Sequence, residues 1–124
     1  MEELKMAFEQ KQKEKVAESL MAAHREGQIT EITLRFQGKT DEAEKVWQEN
    51  SRLYTEIDIL IGQMMDEWLG NAESAIKGLA KINTKLEGAV AEIKKQINVA
   101  ENVVKVIGLL DDALAIAKKV VAGR

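Results

Sequence analysis

Residues 71–122 read NAESAIKGLAKINTKLEGAVAEIKKQINVAENVVKVIGLLDDALAIAKKVVA, the longest regularly patterned stretch of the 124-residue chain. Apolar residues recur there at alternating intervals of three and four, the spacing of a helix face that packs against other helices. The one polar exception on this face is Gln96. The pattern predicts a continuous helix over 71–122, with a packing seam formed by Leu79, Ile82, Leu86, Ile93, Gln96, Val103, Ile107, Leu110 and Leu114.

This predicted seam is longer and wider than the rest of one chain can cover. An unbroken helix over the segment would run roughly 75 Å at about 1.5 Å per residue. Neighbouring positions such as Ile76, Val90 and Val104 are apolar too, which is typical of a bundle with several partners. We therefore expect an all-α protein, a helical hairpin with a long C-terminal helix, whose copies assemble into an elongated helical bundle or coiled coil.

Two positions could interrupt the long helix. Asn98 is able to cap a new helix, with Glu101 three residues later, so the chain would fold back there; Gly108 is a second candidate. The unbroken spacing favours a continuous helix, in which Gln96 is a buried amide that fixes the register of a parallel or antiparallel pair. In a fold-back Gln96 would mark the break, and at the edge of an interface its amide would lie in water.

The composition of the whole chain favours a single helical domain over 1–124. Proline is absent, and 8 residues are glycine, so few positions break a helix. Residues 1–15 have little apolar face and are predicted to be a frayed extension. N-terminal helices are predicted over 16–37 with a break at Gly27, and residues 28–37, whose alternation also suits a strand, are interpreted as a short helix.

A middle helix is predicted over 41–69. Gly38 suits the end of the preceding helix, and Thr40 is expected to cap the new one. The helix is followed by a predicted hairpin turn that consists of Trp68, Gly70 and Asn71.

The sequence contains no recognisable catalytic, cofactor-binding or metal-binding constellation. The absence of cysteine excludes disulfides and thiolate metal sites. Met21 stands where a di-metal bundle motif would place Glu before His24, so we interpret that histidine as a surface or helix-end residue. The net charge of −3 and the lack of aromatic residues among the basic ones argue against nucleic-acid binding. We expect a non-enzymatic protein without a cofactor, a metal or a small-molecule substrate.

Protein–protein interaction is the function that these features favour. The main hypothesis is an adaptor, scaffold or assembly subunit that forms a homo-oligomer, a dimer or larger, through the predicted seam, with another helical protein as a further candidate partner. Charged residues interrupt the apolar C-terminal segment, so no membrane span is expected. No signal peptide is recognisable near Met1, which predicts a cytoplasmic protein or export without a cleaved signal.

Two alternatives rest on shorter segments. Trp68-Leu69-Gly70 resembles the Trp-x-Gly turn of the small cysteine-free substrates of the specialised bacterial secretion system named for that tripeptide. This resemblance rests on three residues and implies an exported helical hairpin, although the long segment after Asn71 departs from the two similar helices of that family. A membrane-active helical protein is the third hypothesis, and it rests on the apolar residues of 97–122.

Overall fold

The computed structural model describes residues 2–62 and 72–121 of the chain. These residues form four α-helices: α1 (Glu2–Phe36), α2 (Thr40–Gly62), α3 (Ala72–Lys94) and α4 (Val99–Val121). The described residues contain no strand, so the all-α prediction is confirmed.

The four helices pack as a bundle around one apolar core. α1 packs against α2 and α3, and α4 packs against the same two helices, whereas α1 and α4 touch little across the bundle diagonal. Short turns join α1 to α2 and α3 to α4, so each pair is an antiparallel hairpin. The largest fully buried side chains come from all four helices: Val16, Leu20, Leu34, Val46, Leu53, Ile57, Leu60, Leu79, Leu86, Ile93, Val106 and Leu110.

The turn between α1 and α2 lies where the sequence predicts it. Gly38 has a φ of 77°, the left-handed conformation that glycine adopts without steric cost. Its N–H donates to the Arg35 carbonyl at 3.1 Å, and the Lys39 N–H donates to the Leu34 carbonyl at 2.8 Å. These two bonds form the Schellman motif that satisfies the last carbonyls of a helix. Thr40 is the first residue of α2 rather than its cap.

The structure corrects the continuous helix predicted over 71–122. The helix ends at Lys94 and a new one begins at Val99. Gln96 has a φ of 61° and takes the position that Gly38 has in the first turn, because the Gln96 N–H donates to the Ile93 carbonyl and the Ile97 N–H to the Glu92 carbonyl. Two halves of one apolar stripe can cover each other within a chain, so the spacing alone does not require a second chain.

Polar side chains hold the two turns together at one end of the bundle. Asn102, buried at 5% exposure, donates through Nδ2 to Glu92 Oε2 at 2.7 Å and to the carbonyls of Ile97 and Asn98, both at 3.1 Å. Gln37, in the first turn, donates through Nε2 to the Ile93 carbonyl at 2.8 Å. The fold-back is therefore fixed by hydrogen bonds from α4 and from the α1–α2 turn.

The N-terminal part of the chain also differs from its prediction. α1 is continuous from Glu2 to Phe36, so residues 2–15 are helical rather than frayed and Gly27 does not break the helix. Residues 29–36 are helical, as interpreted from the sequence. The Glu, Lys and Gln residues of the first turns have high intrinsic helix propensity, which favours a helix there although residues 9–15 contain no apolar side chain.

The predicted hairpin turn with Trp68, Gly70 and Asn71 lies outside the described residues, as does the predicted end of the middle helix at residue 69. Within the described part, α2 follows the prediction up to Gly62. The two-helix hairpin that the Trp-x-Gly resemblance implies differs from the four helices seen in residues 2–62 and 72–121.

Candidate binding pocket between α1 and α2

The predicted seam lies mainly inside the bundle of a single chain. Ile107 is partly buried, and Gln96 is exposed in the α3–α4 turn rather than paired in a core. The fold-back thus removes the reason for which a second chain was expected at this face. The members of the seam that are buried are Leu79, Ile82, Leu86, Ile93, Val103, Leu110 and Leu114.

A different apolar stripe remains on the surface. Trp47, Tyr54 and Ile61 are 47%, 48% and 61% exposed and recur every seven residues along α2. We call these three residues the α2 stripe. The sequence contains a signal for it, because apolar residues occur in adjacent pairs along this helix and one face cannot bury both members. Other large apolar side chains exposed in the described residues are Ile32, Phe36, Ile97 and Val104.

A pocket of about 460 Å³ opens between α1 and α2 beside this stripe. Its volume is within the usual range of ligand pockets, about 300–1,000 Å³. The sequence did not predict the pocket, because the antiparallel packing of α1 and α2 brings together residues that are far apart in the chain. The lining residues are His24, Gln28 and Glu31 from α1, and Trp47, Asn50, Ser51, Tyr54 and Thr55 from α2.

Asn50 of α2 is buried against α1. It is 4% exposed, and its Nδ2 donates to the His24 carbonyl at 3.0 Å. Gly27 makes the close approach possible, because a Cβ at that position would come within 2.5 Å of Asn50 Cγ. The Oδ1 atom is buried and has no hydrogen-bond partner among the described residues. An unpaired acceptor of this kind costs about 1–3 kcal/mol when no donor reaches it.

His24 lies against Tyr54 in the same pocket. Their ring centroids are 4.9 Å apart and the ring planes are tilted by 38°. The His24 ring is partly buried, and its Nδ1 has no hydrogen-bond partner within the described part of the chain. His24 is therefore not at a helix end: it lies within α1, is partly buried and lines the pocket.

An ion-pair group borders the pocket on the α1 side. Arg35 Nε lies 2.8 Å from Glu31 Oε2, and Arg35 Nη2 lies 3.3 Å from Glu44 Oε2. Hydrogen bonds to these two carboxylates raise the pKa of Arg35 above its usual value. Two carboxylates around one guanidinium leave this edge of the pocket net negative.

A second titratable group lies on the other side of α2, where it packs against α4. The Glu49 side chain is only 12% exposed. Burial, and then the neighbouring carboxyl group of Asp111, raises the pKa of Glu49, while Arg52 and Lys118 act in the opposite direction. Neither residue of this pair lines the pocket.

Comparisons with protein-family models, with curated proteins and with solved structures find no significant match for this chain. Among residues 2–62 and 72–121, no group of three or more His, Cys, Asp or Glu side chains could hold a metal ion. Within the same residues, no helix is long and apolar enough to cross a membrane.

Proposed function

We propose that this chain is a non-enzymatic helical-bundle protein that acts through protein–protein interaction, and that its partner covers the α2 stripe. The proposed partner is a second copy of the chain, which makes the protein a homo-oligomer. The surface differs from the predicted seam, since most of that seam is buried inside the bundle.

The exposure of Trp47, Tyr54 and Ile61 is the observation that supports this proposal. Side chains at intervals of seven form one face of a helix, which is how paired helices contact each other. Tryptophan and tyrosine are also the residues most enriched among those that dominate binding energy at interfaces. The stripe extends over two heptads, so a helix from another molecule could lie along it.

Sedimentation velocity from micromolar to submillimolar protein tests self-association through the stripe. We expect the wild-type chain to show a mass that rises with concentration. The Ile61→Lys variant places a charge on the stripe without altering a pocket-lining residue, and we expect it to associate at least about tenfold more weakly, because a buried unpaired ammonium is costly.

Val104→Lys is the matched control, since Val104 is 71% exposed and belongs to α4 rather than to the stripe. Its association should equal that of the wild type, and circular dichroism should show equal helix content for all three proteins. A wild-type chain that stays monomeric over the whole range would refute self-association. Equal weakening by both lysine substitutions would refute the assignment of the interface to the α2 stripe.

A further inference from the structure

We infer that the pocket between α1 and α2 binds the guanidinium group of an arginine side chain. The inference goes beyond the proposed function and concerns the chain with its α2 stripe uncovered, because Trp47 and Tyr54 belong to both the stripe and the pocket. It rests on three features of the pocket: its unpaired acceptors, its aromatic walls and its charge.

Three hydrogen-bond acceptors belong to residues that line the pocket, and two of them are buried. Asn50 Nδ2 is used by the His24 carbonyl, and this bond leaves Oδ1 as the free end of the amide. His24 Nδ1, also buried, is an acceptor when the neutral ring carries its proton on Nε2. Thr55 donates its hydroxyl hydrogen to the Ser51 carbonyl at 3.0 Å, so its oxygen is left as an acceptor. A ligand rich in N–H donors fits these atoms better than an anion.

The aromatic side chains favour a planar cation. Trp47 and Tyr54 both line the pocket and are about half exposed, so their rings are accessible to a ligand. Guanidinium groups stack on aromatic faces and present five N–H donors in one plane, whereas an ammonium group is more strongly hydrated. A flat donor group could therefore stack on a ring and direct its N–H groups to Glu31 and Thr55, whereas the two buried acceptors require the lining to open.

The charge of the lining has the sign that a cation requires. Glu31 lines the pocket with a side chain that is 19% exposed, and neither lysine nor arginine occurs among the described residues that line it. Arg35 pairs with Glu31 at the edge, but Glu44 shares that guanidinium and keeps the group net negative. The partly desolvated carboxylate should thus attract a second guanidinium.

Nuclear magnetic resonance titration of the ¹⁵N-labelled full chain with N-acetyl-arginine amide tests the inference. The indole N–H signal of Trp47 can be assigned by comparison with the spectrum of Trp47→Phe. We expect saturable shifts of this signal and of the amides of Gly27 and Asn50, with a dissociation constant on the order of 1 mM for so small a ligand. N-acetyl-citrulline amide has the same shape without the charge and should bind at least about tenfold more weakly.

Two variants connect the binding to the pocket. Glu31→Gln removes the carboxylate charge and Asn50→Leu removes the buried acceptor, and each should weaken binding severalfold, while Val104→Ala on α4 should not. Glu31 is partly exposed, so Glu31→Gln and the citrulline comparison decide the matter even if Asn50→Leu fails to fold. Equal affinity for the arginine and citrulline derivatives, or shifts confined to residues outside 24–55, would overturn the inference.

The titration also separates this inference from the proposed function. At protein concentrations at which the wild type is monomeric, Ile61→Lys should bind the arginine derivative with wild-type affinity, while its self-association at higher concentration is weakened. Glu31→Gln should show the reverse pattern. Loss of arginine binding in Ile61→Lys would overturn the assignment of the site to the pocket residues.

Discussion

At Gly27, α1 lies so close to Asn50 of α2 that a side chain has no room. An added Cβ would lie 2.5 Å from Asn50 Cγ, 2.6 Å from Oδ1 and 2.7 Å from Nδ2. The Asn50 carboxamide is short, buried and bonded to the α1 backbone, so it cannot move aside cheaply. We expect Gly27→Ala to lower the free energy of unfolding by about 1–2 kcal/mol despite the higher helix propensity of alanine. Chemical denaturation monitored by circular dichroism measures the change.

Gly88→Ala is the matched control for this prediction. Gly88 lies inside α3, and a Cβ there would have no described atom within 4 Å. The same substitution should raise the free energy of unfolding by about 0.5–1 kcal/mol, because it only lowers the entropy of the unfolded chain. Two changes of the same sign would contradict the close packing of Gly27 against Asn50.

Glu49 gives the bundle a pH dependence whose sign follows from its raised pKa. In the folded state this carboxyl group holds its proton to a higher pH than in the unfolded chain. Its contribution to stability is therefore complete below the ordinary pKa of glutamate and is lost as pH rises through the raised value. We expect Glu49→Gln to raise the free energy of unfolding at pH 7, by less than about 1 kcal/mol because Asp111 is exposed.

Urea denaturation between pH 4 and pH 8 measures this effect. The difference in stability between Glu49→Gln and the wild type should shrink as the pH falls. Glu87→Gln serves as the control, since Glu87 is exposed on α3, and it should leave the pH profile unchanged. A difference that grows as the pH falls would contradict the origin assigned to the raised pKa.

At the scale of elements, the two hairpin turns use the same motif with different residues. Gly38 ends α1 in the left-handed conformation, and Gln96 ends α3 in it at a φ of 61°. A residue with a Cβ pays a steric penalty of roughly 1–2 kcal/mol there. We expect Gln96→Gly to raise the free energy of unfolding by about 0.5–1 kcal/mol after the entropy of glycine in the unfolded chain is subtracted.

Thermal or chemical unfolding of Gln96→Gly and Gln96→Ala separates the backbone effect from the loss of the side chain. Alanine keeps the steric penalty, so Gln96→Ala should gain no stability. If residues 94–99 were helical instead, glycine would cost about 1 kcal/mol relative to alanine and the order of the two variants would reverse.

The all-helical character of the chain was predictable from the sequence, whereas the extent of α1 and the break between α3 and α4 were not. Gly38 marks its turn because glycine is the common residue in the left-handed position at a helix end. Gln96 carries no such signal, and the apolar spacing continues across it in register. The break is favoured by the burial of both halves in the bundle and by the bond from Gln37 to the Ile93 carbonyl, neither of which is a local property of residues 94–99.

At the scale of the whole molecule, the sequence identified apolar faces but not their partners. Leu79, Leu86 and Leu110 were expected to pack on another helix, and they do, but the helices that cover them belong to the same chain. The candidate pocket was not predicted, for a related reason. His24 and Asn50 carry no motif in sequence, and only the antiparallel packing of α1 on α2 brings them together.

A distance between Lys77 and Lys119 tests directly whether residues 72–121 fold back within one chain. The chain has no cysteine, so Lys77→Cys and Lys119→Cys introduce the only thiols for spin labels. Both positions are exposed, and pulsed dipolar spectroscopy on labelled protein diluted with unlabelled protein reports the distance within a molecule. Antiparallel packing of α3 on α4 predicts a main distance below about 30 Å, including the labels. A main distance of about 60 Å, as in a continuous helix, would contradict the fold-back.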